Sequence, residues 1–326
     1  MPPNPPSERP NESVGAAVLR LPAARLLGFL VLGAATPVWG QSLDPRSFVN
    51  TPVGINFVVG VYTYQTGNVL FDPTLPLEDA KLTIQGPVVG FARALDLWGL
   101  SGKTDALVGW ACADGHATFN GGTQSRHVCG LVDPSVGLSV NFIGAPALSL
   151  QEYPGYKQNV LVGANLRVTA PLGQYDPQRL VNLGTHRWSF KPGLGVSKAA
   201  GRLTLELLAA VTFFTTNGDF FGGHTLQQAP LYSGQLNVIY TFRSGIWGAL
   251  GGTLYGGGRT TLDGVASTEI QQNTRVGAVL VFPVSRHNSL KIYGSMGAST
   301  RTGTDFDTIS AGWTYNWGGK RKPRSS

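Results

Sequence analysis

Charge is scarce in this chain. Asp, Glu, Lys and Arg make up 13% of its 326 residues, where about 25% is usual in soluble domains. That shortage argues against a cytoplasmic enzyme. The two Cys are too far apart in sequence to form a metal knuckle, and His116, His127, His186, His224 and His287 show no zinc-like spacing. No metal and no cofactor is therefore expected. The Gly runs "YGGGRTT" and "FFGGH" open no predicted helix, so they are not phosphate loops. A pI near 9.5 comes without any basic run outside the C-terminal tail, which argues against a nucleic-acid partner. Long apolar runs are missing too. The one candidate, "LLGFLVLGAA" at 26–35, is too short, and too soon broken by Pro37, to span a bilayer as a helix.

That run has another reading. Arg20 and Arg25 precede it and "TPVWGQS" follows. A basic flank, about ten apolar residues and small residues at the end describe a cleavable signal peptide. Cleavage is expected after Gly40, with Val38 two residues earlier. The residues before Arg20 form a Pro-rich extension.

Gly is plentiful, at 44 residues, and so is alternation. Twelve segments show the period of a β-strand with unlike faces. The first, from about Phe48 to Tyr64, places Val53, Ile55, Phe57, Val59 and Val61 on one face, and the second aligns Leu82, Ile84 and Val88. The third groups Ala106, Val108 and Trp110; the fourth, Val136, Leu138, Val140 and Phe142. Later segments set Val160 to Val168, Trp188 to Val196, Leu203 to Phe213 and Tyr232 to Phe242 against polar rows. A tight turn at Ser244-Gly245 would set Phe242 beside Trp247 and Tyr240 beside Ala249, so the odd positions of the ninth segment share the greasy face. The tenth and eleventh follow suit, and the twelfth, "ISAGWTYNW", alternates Ile309, Ala311, Trp313, Tyr315 and Trp317 with small or polar residues.

Connections are long after segments one, three, five, seven and nine, and short after six, eight and ten. Aromatics gather at segment ends: Trp188 and Phe190, Phe213 and Phe214, Tyr232 and Phe242, Trp247 and Tyr255, Trp313 to Trp317. Long loops on one side, short turns on the other, an even strand number and aromatic girdles characterise outer-membrane barrels. The expected fold is all-β: a transmembrane antiparallel up-and-down β-barrel of about 12 strands, following a cleavable signal peptide. The signal region occupies 1–40, the barrel 41–317 and a basic tail 318–326. The expected location is the outer membrane of a Gram-negative bacterium. Its greasy rows would face lipid, and the barrel-assembly machinery would insert it.

Three stretches, "FVNTPVGINF" (48–57), "TAPLGQYDPQRLVNLGTHRWSFKPGLGVSK" (169–198) and "PVSRHNSLKIYGSMGASTRTGTDFD" (283–307), resemble the outer-membrane family associated with the meta-cleavage pathway of phenol degradation. The resemblance covers nearly the whole mature chain and implies transport of aromatic compounds. The chain departs from the family pattern at His186, in its paired Cys and in its basic tail.

The lumen-facing rows carry Lys103, Arg167, Lys191, Arg275 and Lys291 against Asp105 and Glu206. That excess of fixed positive charge would favour anionic or strongly polar small organic solutes. In the long 169–189 segment, Tyr175, Arg179, Asn182, His186 and Trp188 are candidates for ligand contact at the channel mouth. A loop packed on its own side chains is the alternative. A closed structural or adhesive barrel, acting through its outer loops, is the alternative at the level of function. No catalytic residue is expected: "RHNS" (286–289) brings His, Asn and Ser together only as sequence neighbours, whereas triads assemble from separate elements. Asn120-Gly121 is a type I′ hairpin signal. It pairs Phe119 with Gly122 and, seven steps back, Cys112 with Cys129, so a disulfide is expected across this hairpin.

Overall fold

The computed structural model describes residues 45–69, 77–119, 122–243, 245–268, 270–300 and 304–319. The signal region at 1–40, the tail from residue 320, the Asn120-Gly121 pair and Ser244 lie outside the described residues.

In chain order the strands are β1 (Ile55–Val69), β2 (Leu77–Leu97), β3 (Leu100–Phe119), β4 (Gly122–Pro146), β5 (Val160–Thr169), β6 (Ser189–Ala200) and β7 (Leu203–Phe214). Then come β8 (Asn217–Phe220), β9 (His224–Gln228), β10 (Leu231–Arg243), β11 (Ile246–Gly257), β12 (Thr260–Leu262) and β13 (Val265–Ala266). The last three are β14 (Gln271–Pro283), β15 (Asn288–Thr300) and β16 (Thr304–Gly318). Twelve of them close into an antiparallel barrel, in which β16 returns to β1 with Ile55 opposite Gly318 and Val69 opposite Thr304. The four short strands β8, β9, β12 and β13 form a separate sheet in the loops above one side of the barrel. Their few residues carry no period long enough to read from sequence.

Both chain ends of the barrel lie at one rim, together with the short connections at 98–99, 201–202 and 284–287. Trp98 and Gly99 make a two-residue turn with φ of 55° and 84°. Positive φ at both positions is the type I′ geometry that matches strand twist. Short turns mark the periplasmic end of such barrels. The opposite rim carries the long 170–188 loop and the four-stranded sheet.

Alternation resolves as expected over most of the wall. Leu203, Leu205 and Leu207 are exposed on β7 while Glu206 between them is buried; Ile309, Trp313 and Tyr315 are exposed on β16 while Ser310 and Thr314 are buried. With no water in the bilayer core to meet backbone groups, only a closed ladder such as this one can cross it. The outward apolar rows are the lipid-facing belt.

Four expectations need correction. The row Ile55, Phe57, Val59 and Val61 is buried inside the barrel, and the outward face of β1 is Val58, Tyr62 and Tyr64. Leu82 and Ile84 of β2 likewise face inward, while Val89 and Phe91 face out. Both rows of these strands are apolar, so alternation distinguishes two faces without saying which meets lipid. Second, β1 begins at Ile55; residues 45–54 leave the wall and run into the lumen. Third, β10 carries a bulge between Thr241 and Arg243, so Trp247 pairs with Thr241, and Ala249 with Ile239. One extra residue flips every later side chain to the other face, and Trp247, Ala249 and Tyr255 are buried inside. Fourth, the third connection is not long. β3 and β4 continue as one tall hairpin with Phe119 opposite Gly122.

That hairpin outgrows the bilayer. β3 has 20 residues, where about 9–11 suffice for a crossing. Its outward row is apolar through Ala106, Val108 and Trp110, then turns to Cys112, Asp114 and His116. The change of polarity above Trp110 places the upper hairpin outside the lipid. Cys112 lies opposite Cys129 and the two form the expected disulfide.

Candidate functional site

The lumen is built in three levels. At the periplasmic mouth, residues 45–54 form a strap across the interior. The Arg46 backbone N–H donates to Glu206 Oε2 at 2.6 Å, and its guanidinium donates to Thr241 Oγ1 at 3.1 Å. That guanidinium lies 4.4 Å from the centre of the Trp247 ring, a cation–π contact in a desolvated setting. Phe48 is 1% exposed, among Ala145, Leu161 and Leu208. Its ring fits because Gly163 and Gly195 have no Cβ; one at either position would collide with it.

Further bonds tie the strap to the rim. Lys103 Nζ reaches the Ser47 carbonyl at 3.5 Å, Asn141 Nδ2 donates to the Val49 carbonyl at 3.4 Å, and Tyr153 Oη donates to the Asn50 carbonyl at 3.1 Å. Tyr153 belongs to the 147–159 loop, which folds under the barrel. Burial, aided by the neighbouring Tyr156, pushes its hydroxyl up to about 12, so it stays a donor at physiological pH.

The middle level holds the charged row. Register places Asp105, Gly137, Arg167 and Lys191 side by side across β3 to β6. Gly137 matters here: a Cβ on it would stand 2.6 Å from Asp105 Oδ1. Without one, Arg167 Nη2 reaches over β4 to Asp105 Oδ2 at 2.8 Å, and Nη1 donates to Ser135 Oγ at 3.0 Å. On the opposite wall Arg275 is buried and donates to Ser295 Oγ at 3.1 Å and to the Phe306 carbonyl. Lys291, also buried, faces in from β15. Glu206 is engaged by Arg46 rather than by Lys191, and its cross-strand partner is Ser197.

At the extracellular level the 170–188 loop dips inward. Asp133 of β4 holds its two ends: Oδ1 accepts from the Gly173 N–H at 2.8 Å, and Oδ2 accepts from both the N–H and hydroxyl of Thr185 at 2.7 Å. Leu183, 1% exposed, packs inside the barrel with Leu82, Ile84, Ala111, Ala113, Val132 and Phe306. This contact is one reason the inward rows of β2 and β3 are apolar.

Of the loop residues singled out by sequence, Asn182 is buried and braces the loop. It donates to the Asp176 and Arg179 carbonyls and accepts from the Asp176 N–H. Tyr175 stacks on His186 with ring centres 4.5 Å apart, and both contact Asn217. His186 has φ of 53°, a conformation that Asn tolerates more readily than most residues. Arg179 is exposed, and Trp188 lies on the outer face beside Phe190. Sequence reasoning missed Asp133, Leu183 and Arg187. Arg187 lies over Phe214 at 4.5 Å, and burial lowers its guanidinium to about 10. Nothing in the sequence pattern marks these three, because each acts through partners far away in the chain.

In "RHNS", His287 Nδ1 bonds the Asn316 carbonyl at 2.9 Å, Asn288 bonds Ser285, and Ser289 is buried against the lumen. The three side chains do not converge.

The family model described as "Putative MetA-pathway of phenol degradation" matches residues 76–313. Among solved structures the chain is similar to an outer membrane channel from Pseudomonas putida F1, with 19% identity and a TM-score of 0.70 over 85% of this chain and 100% of that one. It is also similar to the beta domain of the Bordetella autotransporter BrkA, with 13% identity and a TM-score of 0.47 over 81% and 100%. The first likeness shows the fold; no argument rests on the second. Among curated proteins none matches the chain in sequence.

Proposed function

We propose that this chain, which belongs to the phenol-degradation MetA-pathway family, is a non-enzymatic outer-membrane channel for small anionic organic solutes. Aromatic carboxylates or their ring-opened products fit both the charge of the lumen and the family. The observation that carries this reading is the balance of fixed charge inside. The wall's inward rows carry Lys103, Arg167, Lys191, Arg275 and Lys291 against Asp105 and Glu206; the Arg167 guanidinium meets Asp105, and Glu206 accepts from the Arg46 backbone N–H. A low-dielectric wall screens such charge weakly, so it selects by sign. In this reading lipid surrounds the outer belt, the solute passes within, and the barrel-assembly machinery inserts the chain.

A second reading has its own observation. The strap closes over one mouth and the 170–188 loop dips into the other, as a shut barrel acting through its outer loops would require. Proteoliposome swelling separates the two. The channel reading predicts faster swelling in benzoate than in a neutral sugar of similar size. Swelling no faster than in protein-free vesicles, for any solute, would favour the shut barrel.

A further inference from the structure

The upper β3–β4 hairpin carries a cluster of ligand-type side chains on its outward, water-facing side. Three rungs stack there: Cys112 opposite Cys129, Asp114 opposite His127, and His116 opposite Ser125. The Asp114 carboxylate bonds His127 Nδ1. The other ring nitrogen, Nε2, lies 3.5 Å from Cys129 Sγ. One ligand atom from each of Cys112, His127 and Cys129 falls within 4.8 Å of the others. Cys129, His127 and Asp114 are exposed and Cys112 is half-buried. Sequence spacing hid this group, because antiparallel pairing, not nearness in the chain, brings it together.

We propose that reduction of the Cys112–Cys129 bridge opens a surface binding site for Zn²⁺ or a cation of the same borderline-soft class. Cys112, Cys129 and His127 supply the ligands, and Asp114 orients the imidazole. With Zn–S near 2.3 Å and Zn–N near 2.0–2.1 Å, a tetrahedral site has an S···N edge of about 3.5 Å and an S···S edge of about 3.8 Å. The His127 Nε2 to Cys129 Sγ separation already equals the first edge. The second is within reach of a side-chain rotation, since the two Cα atoms are 4.0 Å apart. A carboxylate on the far nitrogen is the usual companion of a metal-bound His: it fixes the tautomer with the proton on Nδ1 and leaves the Nε2 lone pair free.

The redox step balances with a small-molecule thiol as reductant. Two thiols are oxidised to their own disulfide, the protein S–S bond takes up two electrons, and two cysteine thiols result. Metal binding then releases two protons as both sulfurs become thiolates, and water fills the fourth position. In the bridged form neither sulfur is a thiolate and the three-ligand set does not exist. The hairpin is thus an oxidant-controlled metal site on the cell's outer face, separate from the lumen.

The test uses the detergent-solubilised full barrel, reduced with a phosphine and desalted without air, then titrated with Zn²⁺ against a chromophoric chelator. One Zn²⁺ per chain is expected after reduction, and none above background before it. Cys112→Ser with Cys129→Ser should abolish binding, Asp114→Asn should weaken it by about 10- to 100-fold, and His127→Ala, which removes a ligand, should weaken it further. Co²⁺ in place of Zn²⁺ should give the thiolate charge-transfer and tetrahedral absorption bands only with the reduced wild type. Heat-modifiable gel migration checks that each variant remains a closed barrel. The proposal fails if the reduced wild type takes up no more Zn²⁺ than the double serine variant. It also fails if His127→Ala binds as tightly as wild type, which would mean a thiol-only or adventitious ion.

Discussion

Gly137 shows how one absent side chain arranges the lumen. It stands between Asp105 and Arg167 in register, and the pair closes across it. Gly137→Ala is expected to push Asp105 aside and cost roughly 1–3 kcal/mol through overpacking. Gly234→Ala, where an added Cβ meets nothing within 4 Å, should stay within about 0.5 kcal/mol of wild type. Chemical unfolding of the two variants in detergent micelles checks this, and equal effects would contradict the packing of the charged row. The charged side chains of that row were legible from strand parity, since each lies opposite an apolar outward neighbour. The glycine was not, because its role exists only once three strands are in register.

Among elements, the strap at 45–54 departs furthest from what alternation suggests. Its apolar residues read as the start of a strand, but Pro52 has no N–H to give a ladder. The next residue, Val53, donates instead to the Leu148 carbonyl at 2.9 Å, outside any strand pairing. Phe48 finds its notch at Gly163 and Gly195, more than a hundred residues away, so local pattern holds no trace of the contact. Phe48→Ala should empty the notch, loosen the strap and raise single-channel conductance at least twofold, with heat-modifiable migration unchanged. Unaltered conductance would mean that the strap does not obstruct the path. The ninth segment was misread for a related reason. Arg243 still lies opposite Ile246, but a bulge between Thr241 and Arg243 shifts the register beyond that pair, and one residue of slip sends Trp247 inward to stack under Arg46.

For the whole molecule, the barrel was the most legible feature. Twelve separate alternating rows each give a weak signal, and repetition makes them strong. The interior was less so. Where lumen-filling segments pack against the wall, as Leu183 does against Leu82, Ile84 and Ala113, the inner row becomes as apolar as the outer. Polarity then no longer tells inside from outside.

If the cationic side chains of the lumen govern what crosses it, their sign must show in ion selectivity. Reversal potential in a planar bilayer under a potassium chloride gradient tests this most directly. The expected potential has the sign set by chloride passing in preference to potassium. Arg167→Glu combined with Arg275→Glu should shift it toward, or past, zero. Cation selectivity in the wild type, or a reversal potential that the double charge reversal leaves unmoved, would contradict control by lumen charge.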